Sequence, residues 1–212
     1  MKIGILGTGD VGTTLGSALV GAGHQVQMGS RSAANEKAVA WAQRNGASAS
    51  AGTFAEAAEF GEILVLATFG VANEAVISLA GSERFSGKVL LDTTNPLDFA
   101  HGLPRLAYAG DSCGERAQRL LPQARVVKFF NTVGHVHMVH PQFPQGPLSM
   151  LMAGEDNEAK QVAARFIEGF GWQPSDFGGI EGARYLEAMA VVWIRTGILS
   201  GNWNHALTLA RR

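Results

Sequence analysis

The sequence of 212 residues has little that would suit a membrane, a nucleic acid or a disulfide-stapled scaffold. Its one cysteine, Cys113, excludes an internal disulfide and favours a reducing compartment. With 17 basic and 18 acidic residues, the chain has no surplus of positive charge to bind nucleic acid. The longest apolar stretch, residues 188–199, is too short to span a bilayer and contains Arg195. No cleavable signal is visible at the amino terminus, so these absences predict a cytoplasmic protein that binds neither membrane nor nucleic acid.

Glycine and short apolar runs are abundant instead. The chain contains 27 glycines, and 46% of its residues are apolar, which is typical of a globular protein. The apolar runs are continuous rather than alternating, which indicates parallel strands covered on both faces, and helical patterns alternate with them. The sequence therefore predicts an α/β protein: a Rossmann-type, doubly wound parallel sheet in residues 1–132, followed by a small C-terminal α/β-helical domain in residues 133–212. The last helical segment, residues 181–201, is apolar nearly all round and is expected to be buried in the core or in a homodimer interface.

The segment Gly7-Thr8-Gly9-Asp10-Val11-Gly12 forms a G-x-G-x-x-G motif between the first predicted strand and the first predicted helix. In this context the motif is typical of dinucleotide binding. Gly7 makes the tight turn, Gly9 lets the backbone approach a pyrophosphate, and Gly12 lets the helix pack closely on the sheet. The free N–H groups at the start of the helix then bind the negative charge.

The end of the second predicted strand carries no acidic residue. A site for NAD has a carboxylate about 20 residues beyond the glycine loop, which binds the ribose 2′-OH. Here Gly29, Ser30 and Arg31 occupy that place, and a hydroxyl and a guanidinium suit the 2′-phosphate of NADP instead. Lys37, one to two helical turns further on, is a candidate for a third contact. The sequence thus favours NADP(H) over NAD(H) as cofactor.

Five segments together resemble the NADPH-dependent reductases of the deazaflavin coenzyme F420 and their bacterial relatives. They are "GTGDVGTTLGSALVGAGHQVQMGSR", "LLDTTNPLDF", "ARVVKFFNT", "LMAGED" and "GARYLEAM" with the following "WI". The sequence is similar as well to the cytosolic domain of the metalloreductases called six-transmembrane epithelial antigens of prostate. The resemblance covers nearly the whole chain, and its most specific part joins the glycine loop to Gly-Ser-Arg.

The resemblance implies which residues contact the cofactor and the second coenzyme. Cofactor contacts are expected from the loop residues Thr8, Gly9, Asp10 and Val11, from Ser30, Arg31 and Lys37, from the strand end Thr68, Phe69 and Gly70, and from Asn131 and Thr132. Asn95 and Pro96 end another strand at the same carboxyl edge, where ligands lie in such sheets. Val133, Gly134 and His135 are expected at the second coenzyme. Two departures stand out: relatives often have proline at Gly70, and apolar residues where this chain has His135, His137 and His140.

The implied reaction is hydride transfer between NADPH and a flavin-like acceptor, either the deazaflavin coenzyme or FMN or FAD. Such a transfer requires proximity and orientation rather than a protein acid or base, so no catalytic residue is expected. The three histidines have no neighbouring cysteine or carboxylate at standard spacing, so no metal site is expected; they suit an acceptor contact, a proton donor or a surface loop. Two alternatives stay open: an NADPH-binding sensor without turnover, and an NADP-dependent dehydrogenase of a small hydroxy or imino acid. Against the dehydrogenase, the sequence has no lysine in its final helix, whereas such enzymes usually use a lysine as general acid.

Overall fold

A computed structural model describes residues 1–100 and 102–209 of the chain. The strands in these residues are β1 (Lys2–Leu6), β2 (Gln25–Ser30), β3 (Ala49–Thr53), β4 (Ile63–Leu66), β5 (Val89–Asp92), β6 (Leu97–Asp98), β7 (Arg105–Leu106), β8 (Arg125–Lys128), β9 (Ser149–Met152) and β10 (Gln173–Asp176). The helices are α1 (Asp10–Gly21), α2 (Glu36–Asn45), α3 (Phe54–Phe60), α4 (Asn73–Ala80), α5 (Cys113–Leu120), α6 (Asn157–Gly169) and α7 (Ala183–Ser200).

Six strands form a parallel sheet in the order β3-β2-β1-β4-β5-β8. The order reverses between β1 and β4, so the chain leaves the sheet in opposite directions there and opens a crevice at the carboxyl edge. Helices α1, α2 and α6 cover one face through residues such as Leu15, Trp41 and Ile167. Helices α3, α4 and α5 cover the other face through residues such as Ala57 and Ile77. The predicted Rossmann-type, doubly wound sheet is confirmed.

Helices α3 and α5 begin after residues whose side chains cap them. Thr53 caps α3 in a complete capping box, since its hydroxyl accepts from the Glu56 N–H and Glu56 accepts from the Thr53 N–H. Ser112 caps α5 and accepts from the Glu115 N–H, but the Glu115 carboxylate bonds to the Ser112 hydroxyl, 2.8 Å away, and to Arg184. The second box is therefore incomplete.

Strand β3, the hairpin of β6 and β7, and helix α4 were not predicted from the sequence. Strand β3 is built from alanine, serine, glycine and threonine, so it lacks the apolar run that marks a buried strand. It forms because it pairs with β2 along its whole length at the sheet edge. The hairpin of β6 and β7 has only two residues in each strand. Strands of two residues are too short to show an alternation of apolar and polar residues in the sequence.

The C-terminal part forms a small sheet of its own, which an isolated bridge and a shared core join to the large sheet. Strands β9 and β10 pair in parallel, and an antiparallel bridge joins Lys128 to Ala153 through N–H···O distances of 2.8 and 3.1 Å. One hydrophobic core contains Val127 from β8, Met150 from β9 and Ile167 from α6. The division of the chain at residue 132 stays a prediction, and it falls within a continuous core.

Helix α7 is buried on one side only. Leu186 packs against Leu151 and Ala153, and it is fully covered. On the opposite side, Tyr185, Val192 and Leu199 are 63%, 52% and 72% exposed. These three residues follow one another at intervals of seven, which places them on one stripe of the helix. No helix in residues 1–100 or 102–209 is long and apolar enough to cross a membrane.

Candidate functional site

The glycine loop between β1 and α1 has the conformation that its motif predicts. Gly7 has a φ of +133°, and a Cβ there would lie 2.2 Å from the Ala67 carbonyl oxygen, so a side chain is excluded. A Cβ on Gly12 would lie 2.4 Å from the Gly7 carbonyl oxygen, which shows how closely α1 packs on the loop. A Cβ on Gly9 would meet nothing within 4 Å. The start of α1, where Gly9 provides no side-chain cap, is therefore open to an anion.

The end of β2 lies directly beside this loop. The Gly7 N–H donates to the Gly29 carbonyl over 3.1 Å, which fixes the distance between loop and strand. Ser30 is buried and donates its hydroxyl proton to the Ser32 carbonyl, 2.6 Å away. Its proton is thus used to shape the turn. Arg31 is exposed, and it makes neither a hydrogen bond nor an ion pair within the described part of the chain.

A cleft of about 360 Å³ lies between the loop and helix α2. Its lining residues are Thr8, Asp10, Thr13, Glu36, Lys37, Ala40 and Arg44. Lys37 and Arg44 are seven residues apart, two helical turns, so both face this outer cleft. Arg44 was missed in the sequence, although its spacing from Lys37 was the signal that could have found it.

An inner cleft of about 330 Å³ lies at the carboxyl ends of β1, β4 and β5. It brings together predicted site residues from four segments of the chain. Its lining residues are Gly9, Asp10, Val11, Ala67, Thr68, Phe69, Thr93, Thr94, Asn95, Leu97 and His135. Phe69 is 53% exposed, so an aromatic face is available in this cleft. Thr93, Thr94 and Leu97 had not been predicted as site residues, and their position after a buried strand was the available signal.

Other predicted residues do not line either cleft. Gly70 is buried, and a Cβ there would lie 2.3 Å from the Asn95 carbonyl oxygen, so it allows close backbone packing. Pro96 is buried beside it. The Thr132 hydroxyl points to the Met150 sulfur at 3.8 Å, and Val133 is part of the core. Their contacts with ligands stay predictions.

Asn131 and Gly134 support the inner cleft from behind. The Asn131 side chain donates to the Asn95 side chain, and the Asn95 side chain donates to the Asn131 carbonyl, each over 2.9 Å. The buried Oδ1 of Asn131 has no hydrogen-bond partner within the described residues. A Cβ on Gly134 would lie 2.5 Å from the Trp193 ring, so α7 packs directly behind the turn that carries His135.

The three histidines of the predicted cluster are separated in the structure. His135 lines the inner cleft. The Nε2 atom of His137 lies 3.2 Å from the Trp203 carbonyl, and His140 is exposed at a φ of +47°. Among the residues that the structure describes, no three histidine, cysteine or carboxylate side chains are grouped to hold a metal ion.

A cluster of buried charges lies behind the inner cleft, and the sequence did not reveal it. Lys128 and Asp92 end paired strands, and Glu187 reaches them from α7; all three are fully buried. The Lys128 ammonium lies 2.7 Å from each carboxylate and donates to the Thr94 carbonyl over 2.6 Å. Burial by itself lowers the pKa of Lys128, but the two carboxylates outweigh it and hold the pKa above its usual value. Burial also raises the pKa of Glu187, and Lys128 opposes that shift.

Comparison with known proteins places this geometry in a family. Residues 2–96 match the family described as NADP oxidoreductase, coenzyme F420-dependent. A protein named F420-dependent NADP reductase, from Methanothermobacter marburgensis, is 34% identical over 212 residues, which covers 93% of each chain. A crystal structure from Arthrobacter sp. FB24, named for an F420-dependent NADP reductase, is 37% identical, with a TM-score of 0.92 and full coverage of both chains. Metalloreductase STEAP3 from Rattus norvegicus is 32% identical over 189 residues, but the match spans only 36% of that protein.

Proposed function

This chain belongs to the family of F420-dependent NADP reductases and is an NADP-dependent oxidoreductase, and we propose that it transfers a hydride between NADPH and the deazaflavin coenzyme F420. The observation that carries the proposal is that the two clefts adjoin at the start of α1, where no side chain caps the helix. Asp10 lines both of them, so one extended dinucleotide can lie across the glycine loop from the outer to the inner cleft.

The residues present fit NADP(H). In this proposal, the outer cleft takes the adenosine half between Lys37 and Arg44, which line it. Arg31, which does not line that cleft but follows the end of β2 beside the glycine loop, binds the 2′-phosphate. Gly9 leaves room for the pyrophosphate at the start of α1. The inner cleft takes the nicotinamide, which supplies the hydride, against Thr68, Asn95 and His135.

The mouth of the inner cleft suits a flat, conjugated acceptor. Phe69 and His135 line the cleft, and Val136 beside His135 is 63% exposed. Exposed apolar and aromatic side chains around a cleft favour the docking of an aromatic ring. Asp10 and His135 are the titratable residues among those that line it. Since direct hydride transfer between two rings depends on their proximity and orientation, the chief contribution of the protein in this proposal is to align the two rings and to exclude water from between them.

We propose in addition that two copies of the chain associate through α7. Its stripe of Tyr185, Val192 and Leu199 leaves apolar surface uncovered over nearly the whole length of the helix. Residues at intervals of seven lie on one side of a helix, so a second helix can contact all three of them. Since Gly134 packs against Trp193 on the other side of α7, a second copy would also stiffen the turn that carries His135.

A screen of acceptors under anaerobic conditions tests the reaction. Purified protein is mixed with NADPH or NADH and with F420, FMN, FAD or ferric citrate, and kcat/KM is measured for each pair. We expect F420 to be the best acceptor and NADPH the better donor. With NADPH carrying deuterium at C4, we expect the label in the reduced deazaflavin, because transfer is direct.

Other outcomes would contradict the proposal in different ways. Tight NADPH binding without turnover of any acceptor would favour a sensor. Reduction of a keto or imino acid would favour a dehydrogenase. Reduction of ferric citrate alone would favour a metal reductase, the activity in the name of one relative.

A further inference from the structure

A chain of hydrogen bonds connects the buried charges to the inner cleft. The Asp92 Oδ1 atom accepts from the Thr94 N–H over 2.9 Å and from the Thr94 hydroxyl over 2.7 Å. The Thr94 hydroxyl oxygen accepts from the Asn73 amide over 2.7 Å. The Asn73 carbonyl oxygen accepts from the Thr68 hydroxyl, again over 2.7 Å. Asn73 and Thr94 are buried, whereas Thr68 is half-buried and lines the cleft.

The direction of every hydrogen bond in this series follows from its first residue, Asp92. A carboxylate only accepts hydrogen bonds, so Thr94 gives its single hydroxyl proton to Asp92. The Thr94 oxygen is then free only to accept, which requires the NH2 group of Asn73 to face it. The carbonyl oxygen of Asn73 consequently faces Thr68 and takes the Thr68 proton. The Thr68 hydroxyl is left with lone pairs, and no proton, for a ligand in the cleft.

Lys128 forms an ion pair with Asp92, the first residue of this series of hydrogen bonds. Its ammonium pairs with Asp92 and with Glu187, and all three side chains are shut off from solvent. Glu187 is fixed in turn, since it accepts from the N–H groups of Cys113 and Gly114 over 3.1 and 3.3 Å. The final helix thus reaches the inner cleft through Lys128, Asp92, Thr94 and Asn73.

We propose that Asp92 and Lys128 are positioning residues that make Thr68 an obligate hydrogen-bond acceptor, and that Thr68 thereby selects the amine of the nicotinamide carboxamide. This inference rests on the proposed placement of the nicotinamide in the inner cleft. The carboxamide carries one donor group and one acceptor group, and an acceptor on the protein binds only the donor end. The hydrogen-bond series therefore fixes which way round the carboxamide lies.

A cofactor analogue without the amine tests this directly. The 3-acetylpyridine analogue of NADPH has a methyl group in place of the NH2 and keeps the carbonyl oxygen. We expect the protein to bind NADPH about threefold to tenfold more tightly than the analogue, the contribution of one hydrogen bond. Fluorescence titration gives both dissociation constants without any acceptor.

Variants decide whether Thr68 and the hydrogen bonds behind it cause the preference for NADPH over the analogue. In Thr68→Val the ratio of the two dissociation constants should fall to about one, while Thr68→Ser, which keeps the hydroxyl, should retain it. In Asp92→Asn the new amide can donate to Thr94, so the direction of the hydrogen bonds is no longer fixed. The ratio of the two dissociation constants should therefore fall as well. Asn73→Leu frees the Thr68 proton and serves as the test of the same link if Asp92→Asn does not fold. An undiminished ratio in Thr68→Val, or in Asn73→Leu, would overturn the inference.

Binding of 2′,5′-ADP separates this inference from the proposed function. The molecule carries the adenosine half and its 2′-phosphate but no nicotinamide, so Thr68→Val should bind it as the unmodified protein does. If the unmodified protein binds 2′,5′-ADP, NADPH and the analogue equally well, the nicotinamide does not enter the inner cleft. That result would contradict the proposed placement of the nicotinamide in the inner cleft. If instead Thr68→Val still prefers NADPH over the analogue, only the role of Thr68 and of the hydrogen bonds from Asp92 is contradicted.

Discussion

Arg31 is a cation near the glycine loop with no ion-pair partner among the residues that the structure describes. It is exposed at the end of β2. Ser30 next to it has already given its proton to the Ser32 carbonyl. A 2′-phosphate at this place would therefore depend chiefly on the guanidinium.

Replacement of that guanidinium should change cofactor preference more than cofactor binding in general. In Arg31→Ala we expect NADPH affinity to fall by about 1.5–3 kcal/mol, the contribution of a hydrogen bond to a charged group, and NADH affinity to change little. Fluorescence titration with both cofactors measures this. Arg165→Ala, an exposed arginine on α6, is the matched control. An equal loss for both cofactors would show that Arg31 does not contact the phosphate.

Cys113 illustrates how position alone can mislead at the residue scale. It is the first residue of α5, where the helix dipole favours a thiolate. Burial has the larger effect and raises the pKa of its thiol to about 12. At pH 8 only about one thiol in 10⁴ is then ionised. We expect no reaction of the native protein with Ellman's reagent at that pH and one equivalent in denaturant; prompt reaction of the native protein would contradict this.

At the scale of elements, Glu187 joins α7 to the sheet and to α5. Its carboxylate contacts Lys128 at the end of β8 and two N–H groups at the start of α5. Three elements thus converge on one side chain with no exposure to solvent. Because buried charges are stable only while they are paired, this contact is sensitive to chemistry rather than to size.

Two substitutions separate those effects. Glu187→Leu leaves Lys128 short of a carboxylate and leaves both N–H groups unpaired, so we expect a loss of about 3–5 kcal/mol in the free energy of unfolding. Glu187→Gln keeps a hydrogen-bond acceptor of the same shape and should cost less. Thr196→Ala, on the exposed side of α7, should lie within about 0.5 kcal/mol of the unmodified protein. Urea denaturation gives all three values, and equal losses for Leu and Gln would contradict this account.

At the scale of the whole molecule, the sequence predicted what depends on local pattern. The continuous apolar runs predicted the parallel sheet, and the glycine spacing predicted the turn that Gly7 makes. Contacts between distant segments were beyond reach: Glu187 meets Lys128 across 59 positions of sequence, and nothing local to either residue predicts the pair. Arg44 lies between these cases, since helical periodicity alone would have placed it beside Lys37.

If two copies associate through the exposed stripe of α7, one charge placed on that stripe should prevent the dimer from forming. In Val192→Glu, a carboxylate would be placed at the centre of the proposed seam, where burial without a partner is costly. We expect the unmodified protein to sediment as a dimer and this variant as a monomer in analytical ultracentrifugation. Leu79→Glu, on the equally exposed surface of α4, is the control and should sediment as the unmodified protein does. A monomeric unmodified protein would contradict the proposed association.

The bridge between Lys128 and Ala153 makes residue 132 a poor place to divide the chain. A fragment that ended there would expose the edge of β8 and would leave Lys128 without Glu187. We therefore expect a fragment of residues 1–132 not to fold on its own. On that expectation, an exchange of parts with other proteins, by evolution or in the laboratory, would have to move both halves together.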